Sequence, residues 1–260
     1  MPFDLPDLTR GRFRACIVRD AAGLAEARAL RRQVFRADCA DGADPLDAAC
    51  THVLLRDTAS GAAVGGFRML LLATGADIAR SYSAGFYDLS RLMAWPGPMI
   101  EIGRFCLHPD CRDPDALRVA WGAIAGCVDA HAVTMLFGCS SFPGTDPAPH
   151  GDAFAWLKAR HLAPQPWRPG VAAPEVYRFA ARLRRRPDPA RALPALPPLL
   201  RSYLGLGGWV GDHAVIDRQM NTLHVFTGVE IAAIPPARQR LMRAIATGAT
   251  APVDATAPAR

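Results

Sequence analysis

A chain of 260 residues with 50% hydrophobic and 21% charged side chains can bury one large core, which excludes a disordered or fibrous protein. Its formal net charge of +6 comes from arginine, Lys158 being the single lysine, and points to an acidic partner: nucleic acid, an anionic bilayer, a phosphate-bearing substrate or an acidic protein. Seven scattered cysteines with no Cys-x-x-Cys pair indicate neither a disulfide framework nor a zinc site, so no metal is expected and a reducing cytoplasm fits.

The opening MPFDLPDLTRGRFRA carries acids and prolines where an export signal needs an apolar stretch. Phe13–Val18 reads as a strand and Ala21–Phe35 as a helix, with Arg31, Arg32 and Arg36 crowding its C-terminal end, where the helix dipole favours cations. Residues 37–50 form a polar loop with Asp38, Asp41, Asp44 and Asp47. His52–Arg56 and Ala63–Leu72 read as a hairpin, and Gly75–Trp95 as loop and short helix.

The next stretch, Met99–Arg112 (MIEIGRFCLHPDCR), is an apolar strand with two charges that a purely structural strand would avoid. Strict alternation sends Glu101 and Arg104 to opposite faces, but a bulge at Gly103 would turn both toward one cleft. A structural ion pair at the sheet rim and a working pair in a cleft both remain open at this point.

A helix follows from about Asp115 to Ala130, with Asp113 or Asp115 as cap and Pro114 in its first turn. Met135–Cys139 is the next strand, ending in the loop SSFPGTD, and Phe154–His161 is a short helix. The apolar run Val119–Phe142 is interrupted by Asp129 and His131, so it is no membrane span and any membrane contact is peripheral. Proline-rich stretches at 163–174 and 187–198 bracket a strand, Val176–Ala180, and the basic segment Arg182–Arg186. Leu199–Leu206 is a helix, GLGGWVGDHAVID a glycine-rich turn, Val225–Ile231 a last strand, and 247–260 a disordered tail. The mixture argues for an α/β fold with a largely antiparallel sheet. No GxGxxG, Walker, HExxH or GxSxG motif occurs.

The segments LRRQVF (30–35), DPLDAACTHVLL (44–55), VGGFRML (64–70), YSAGFYDL (82–89), EIGRFCLHPDCR (101–112), LFGCSSFPGTDP (136–147), HLAP (161–164), PPLLRSYLGLGGWVGDHAVID (197–217) and NT (221–222) run in one order. Together they resemble the ornithine-acyl carrier protein N-acyltransferases, which make lyso-ornithine lipid and belong to the GNAT superfamily, related to acyl-homoserine lactone synthases. The resemblance implies a GNAT-like α/β fold, a mostly antiparallel central sheet flanked by helices. Its core would span 10–180 and a C-terminal extension 181–245 would complete it, with 246–260 as tail.

It also implies a 3-hydroxyacyl chain carried as a thioester on acyl carrier protein, and ornithine as acceptor. No cofactor of its own is implied beyond the carrier's 4'-phosphopantetheine. An ammonium group cannot attack a thioester, so the site must remove a proton and stabilise an oxyanion. Glu101 is the candidate base and Ser140 and Ser141 the candidate oxyanion donors. Arg104 is assigned to a carboxylate or phosphate, Arg31 and Arg112 to the acyl-carrier side, and Asp44, Asp47, Asp88 and Asp146 are candidates for the ornithine side-chain amine.

His213 with Asp217 is the rival base pair; His52 and His108 read as structural, and Cys139, with no sequence-local partner to lower its pKa, is ranked below Glu101 because GNAT transfer is direct. Arg112-Asp-Pro-Asp-Ala-Leu stands where CoA-dependent relatives carry a glycine-rich pyrophosphate loop, which favours a carrier over free CoA. Arg32-Gln33 replaces an expected Tyr-Arg, so glycine, glutamine and lysine stay open as acceptors. Rival readings are a homoserine-lactone synthase-like enzyme and a non-enzymatic membrane-binding protein. Nucleic acid is not an expected partner, because the arginines are spread rather than interleaved with aromatics. The expectation is a cytoplasmic enzyme that visits the inner membrane face through its basic 182–186 segment.

Overall fold

A computed structural model of the chain describes residues 7–35 and 44–246; Arg36, Asp38, Cys39, Asp41 and the expected tail at 247–260 lie outside the described residues. In order, the strands and helices are β1 (Leu8–Arg10), β2 (Phe13–Ile17), α1 (Ala21–Phe35), β3 (Thr51–Asp57), β4 (Ala63–Leu72), β5 (Tyr87–Asp88), β6 (Met99–Leu107), α2 (Pro114–Ala130) and β7 (Met135–Pro143). They continue with α3 (Gly151–Arg160), β8 (Gly170–Val171), β9 (Val176–Tyr177), α4 (Phe179–Arg182), α5 (Pro189–Ala195), α6 (Pro198–Gly205), β10 (Trp209–Asp217), β11 (Thr222–Glu230) and α7 (Pro236–Ala246).

Among the described residues, nine strands form one sheet in the order β1-β2-β3-β4-β6-β7-β11-β10-β9. Every neighbouring pair is antiparallel except β6 and β7, which are parallel and joined by the crossover helix α2. Asp113 caps α2 by accepting from the Asp115 N–H at 2.9 Å, and Pro114 takes the first turn, as the sequence implies. The apolar stripe of α2, with Val119, Ala120, Ile124 and Cys127, packs on Ile100, Ile102, Leu136 and Val229 of one sheet face. On the other face, α1 covers Leu54 and Cys106, and residues 75–95 bring Ile78, Tyr87 and Leu92 against Met99, Phe137 and Phe226.

Several boundaries differ from the sequence reading. The glycine-rich run at 205–217 turns only at its start and then forms β10; the register slips between Val210 and Ala214, and this bulge hides the strand's alternation. The strand β7 continues through Ser140 and Ser141 to Pro143, because β11 pairs with its whole length. The expected strand 176–180 is two residues long and gives way to α4. Helix α7 was not expected; Pro236 opens it, and its buried Ile245 sits against Gly122 of α2. Among the described residues, no helix is long and apolar enough to cross a membrane.

Two features of the sheet make an opening. The parallel register pairs Met99 with Met135, Ile100 with Leu136 and Glu101 with Phe137, and then ends. Just beyond, β6 carries a bulge against β4, between the pairs Gly66–Cys106 and Arg68–Gly103, and Arg104 takes the left-handed region at φ 52°. That backbone costs a non-glycine residue about 1–2 kcal/mol. The extra residue leaves Glu101 and Arg104 on one face, with the bulge one residue later than Gly103.

Where the strands part, Gly138 lets the two backbones approach: a Cβ there would lie 2.4 Å from the Ile102 carbonyl oxygen. Gly138→Ala is therefore expected to cost about 1–3 kcal/mol in urea unfolding, while Gly85→Ala, which meets open space, stays within about 0.5 kcal/mol. Equal stability of the two variants would show that the strands have room to separate at Ile102.

Candidate active site

A cavity of about 270 Å³ occupies the opening between β6 and β7 and is lined by Tyr82, Glu101, Arg104, Ser140, Ser141, Asp217 and His224 among others. Glu101, 4% exposed, has both carboxylate oxygens anchored by the turn at 82–83. Its Oε1 accepts from the Ser83 N–H at 2.8 Å and the Ser83 hydroxyl at 2.6 Å, and its Oε2 accepts from the Tyr82 N–H at 2.8 Å. Burial raises its pKa above the ordinary glutamate value, and the Ser83 and Tyr82 bonds and the charge of Arg68 limit the rise. Oε2, with one bond, keeps acceptor capacity toward the cavity.

Arg104 stacks its guanidinium 4.8 Å from the Tyr82 ring centroid and donates from Nε (3.1 Å) and Nη2 (2.5 Å) to Asp44 Oδ2. Behind it runs a buried chain of charges. Arg68 Nη1 lies 3.1 Å from Asp44 Oδ2 and donates to Asp47 Oδ1 at 3.0 Å, which also accepts from Arg31 Nη1 at 2.7 Å. Arg28 Nε donates to Asp47 Oδ2 at 3.1 Å. His52 closes the network with Nδ1 against Arg31 Nη2 at 2.7 Å and Nε2 against the Asp47 carbonyl at 2.9 Å. Burial alone would raise the Asp44 carboxyl, but Arg68, the Leu46 N–H and Arg104 hold it down at about 2; the arginines likewise depress Asp47.

This geometry sorts the residues singled out from the sequence. Asp44, Asp47, Arg31, Arg104 and Glu101 do come together, but Asp44 and Asp47 are committed to arginines, and Arg31 is buried between Asp47 and His52. Asp88 and Asp146 are local turn residues that accept from the Ser90 and Ala148 N–H groups, and neither lines the cavity. Ser140 and Ser141 both border the cavity but project to opposite faces of β7; Ser140 Oγ accepts from Thr227 Oγ1 at 3.0 Å. Arg112 borders a separate groove beside α2.

His213 and Asp217 do not form the expected pair: His213 is fully buried with Nδ1 2.8 Å from Asp212 Oδ1, and only Asp217 reaches the cavity. Cys139 lies 3.5 Å from Ser83 Oγ, and burial pushes its thiol up to about 12, so it stays protonated. His224, Tyr82 and Ser83 were missed as site residues. The turn residues Tyr82 and Ser83 sit inside a resembling segment, YSAGFYDL, but nothing in their spacing links them to Glu101. His224 pairs with Ser141 across the β7–β11 ladder, a relation that no local pattern carries.

Residues 30–122 match the Acetyltransferase (GNAT) domain family, and the fold is the GNAT-like α/β arrangement expected. The chain is 38% identical over 188 residues to the L-ornithine N(alpha)-acyltransferase of Rhodobacter capsulatus, covering 70% of this chain and 72% of that one. It is 32% identical over 237 residues to the L-ornithine N(alpha)-acyltransferase of Rhizobium meliloti, covering 84% and 80%. Among solved structures, FeeM, an N-acyl amino acid synthase from uncultured soil microbes, aligns with TM-score 0.45 at 12% identity over 92% of this chain and 99% of its own.

Removing the Asp47 carboxylate would leave Arg31 and Arg68 buried without their shared acceptor. Asp47→Ala is expected to lower unfolding stability by about 3–5 kcal/mol, against less than about 1 kcal/mol for Asp146→Ala at its exposed turn. Equal losses in urea titrations would show that the arginines find water or other partners without Asp47.

Proposed function

The chain belongs to the L-ornithine N(alpha)-acyltransferase family, and from that premise we propose that it joins a 3-hydroxyacyl chain, carried as a thioester on acyl carrier protein, to the α-amine of ornithine. The observation that supports this chemistry best is the meeting of Glu101 and Arg104 in one cavity, where β6 and β7 cease to pair. A buried carboxylate with a raised pKa is suited to take a proton from an ammonium group and hold it. Arg104 keeps N–H groups beyond the two that meet Asp44, and these suit the α-carboxylate of an amino acid.

The reaction then runs as a direct transfer. Glu101 accepts the proton of the α-ammonium, directly or through a water, and the freed amine attacks the thioester carbonyl. The C–N bond forms, the carbonyl electrons move to an oxyanion, and their return breaks the C–S bond. The nitrogen, cationic once the C–N bond has formed, gives up a second proton to solvent, and the proton held at Glu101 returns to the leaving sulfur, so the products are a neutral amide, a thiol and one released proton. Ser140 supports the oxyanion step: Thr227 donates to its Oγ, which leaves the Ser140 hydroxyl hydrogen free to point at a new acceptor. The protonated Cys139 is no competitor for the acyl group.

A carrier fits the other side of the opening better than free CoA. The first turn of α2 is occupied by its own aspartates, Asp113 as cap and Asp115 behind it, so a pyrophosphate would meet negative charge and one N–H already taken. Beside it, a groove of about 730 Å³ is walled by Trp121, Leu206 and Met242 and edged by Arg112, Arg118, Arg201 and Arg238. Pro198 borders both this groove and the cavity. An acidic carrier would meet this edge, with its single phosphate and apolar arm directed inward.

Purified protein, 3-hydroxyacyl carrier protein and ornithine are expected to give lyso-ornithine lipid by mass spectrometry, with Glu101→Gln at least about 100-fold slower in kcat. The kcat/KM of the unmodified protein should fall as pH drops through a pKa above the ordinary glutamate range, and this limb should vanish in the Gln variant. An unchanged rate in Glu101→Gln would move the proton transfer elsewhere. Arg112→Glu combined with Arg201→Glu should raise KM for the acyl carrier about tenfold or more and leave the ornithine KM unaltered; an unaltered carrier KM would remove the carrier from this groove.

A further inference from the structure

The four aspartates that the sequence offers for the acceptor's side chain are all placed to do something else. Asp44 and Asp47 neutralise Arg104, Arg68, Arg31 and Arg28, and Asp88 and Asp146 cap turns away from the cavity. Among the described residues, two carboxylates line the cavity itself, Glu101 and Asp217. Glu101 is held at the opening between the strands by Tyr82 and Ser83. Asp217 is largely buried, and its Oδ1 accepts from the Met220 N–H at 2.9 Å; no ion pair reaches its carboxylate from the described residues. A carboxylate enclosed in a cavity wall without a cation is costly unless something positive enters.

His224 stands beside it. Asp217 pairs with Thr222 in the β10–β11 ladder, and His224 lies two residues further along β11, so all three face the same side of the sheet. The hydrogen bonds fix the form of the ring. Tyr87 Oη donates its one hydrogen to the His224 carbonyl at 2.8 Å, so at Nδ1, 3.0 Å away, the tyrosine oxygen is the acceptor and Nδ1 carries the hydrogen. Nε2 is then a bare lone pair, and it is buried with no partner among the described residues. His224 is 2% exposed and lines the cavity.

We propose that Asp217 and His224 form the receptor for the distal ammonium of the acceptor amino acid, so that this chain selects a diamino acid by reading its side-chain charge. An ammonium group brings a charge for Asp217 and a donor for the acceptor-only Nε2, and it lacks any acceptor that the pair would leave unmet. The cavity is then matched at both ends, with Arg104 for the α-carboxylate and Asp217 for the far nitrogen. Asp217 and His224 here bind and select; the proton transfer stays with Glu101. The inference rests on the reading that this cavity takes the acceptor, and it adds which end of ornithine is recognised and by what.

Norvaline, which keeps the carbon chain of ornithine and lacks its distal amine, separates the two claims. With 3-hydroxyacyl carrier protein as donor, the unmodified protein should favour ornithine over norvaline by about 10–100-fold in kcat/KM, the worth of a charged hydrogen bond. Asp217→Asn, which retains an oxygen for the Met220 N–H, should lose most of that preference by raising the ornithine KM, with norvaline changed less than about twofold. His224→Gln should shift the same ratio in the same direction by a smaller factor. Acylation of norvaline as fast as ornithine by the unmodified protein would overturn the inference while leaving amino-acid acylation intact. Equal losses for both acceptors in Asp217→Asn would overturn it too, since a structural role predicts that result. A protein that acylates neither amino acid would overturn the proposed function and the inference together. Because the unmodified protein alone gives the first comparison, a variant that fails to fold leaves the test standing.

Discussion

Parallel strands that stop sharing hydrogen bonds must put something else against their inner edges, and that constraint organises this molecule. The edges of β6 and β7 that turn toward each other are paired over three residues and open after Glu101 and Phe137. Their outer edges stay locked, β6 to β4 and β7 to β11, so the opening cannot close by sliding one strand along the other. Backbone groups left inside such a gap require water or a ligand, because burying them unpaired is costly. The Arg104 bulge makes the departure permanent by adding a residue to one strand only. The cavity, the two exposed inner strand edges and the placement of Glu101 at the last paired position all follow from this one divergence.

The left-handed backbone at Arg104 has to be held by more than its own strand. Its side chain supplies that hold through Asp44, which is shared with Arg68, and through the face of Tyr82. Arg68 in turn shares Asp47 with Arg31 and so ties β4 to α1 and to the segment just before β3. Burial of so many charges brings little net stability compared with a well-packed apolar alternative. What it does bring is position: Arg31 and Arg68 are tied to Asp47, Arg68 also to Asp44, and Asp44 holds Arg104 through both Nε and Nη2 at the cavity wall. This is why residues that looked like substrate contacts in the sequence work instead as the frame around one guanidinium that keeps spare donors.

The sequence carried the strands and helices with regular periodicity and lost those whose pattern was interrupted. The strand β6 and the crossover α2 were legible because the apolar run, the Asp113 cap and Pro114 all agree. Glu101 and Arg104 were legible as anomalies, two charges in an apolar strand, and the glycine beside them gave a bulge within one residue of its real place. The strand β10 was not legible: Gly211-Asp-His213 falls in a bulge, so its side chains break the two-residue alternation that marks a strand. With β10 read as a turn, the register that sets Asp217 near Thr222 and His224 was out of reach, and Asp217 was assigned to His213, its neighbour in sequence. The histidine that lines the cavity with Asp217 lies on the next strand.

The two faces of the sheet divide the chemistry between them. Residues that alternate with Phe137 along β7, and those paired to them on β11, place Cys139, Ser141 and His224 on the face covered by Tyr82 and Tyr87. Ser140 projects to the opposite face with Thr227, Leu200 and Tyr203, the face on which α2 and the arginine-edged groove lie. The charged groups that line the cavity, Glu101, Arg68, Arg104 and Asp217, belong to the first of these faces, while the cavity lining on the second is largely apolar around Ser140. A zwitterionic amino acid and an acyl thioester have opposite needs: one requires fixed charges and the other a dry, apolar approach with a single donor near its carbonyl. Among the described residues the gap between β6 and β7 opens to both environments, so the proposed reaction would hold each substrate in the surroundings that suit it until the amine and the carbonyl meet. Ser140 and Ser141, adjacent in sequence and opposite in direction, mark the crossing point.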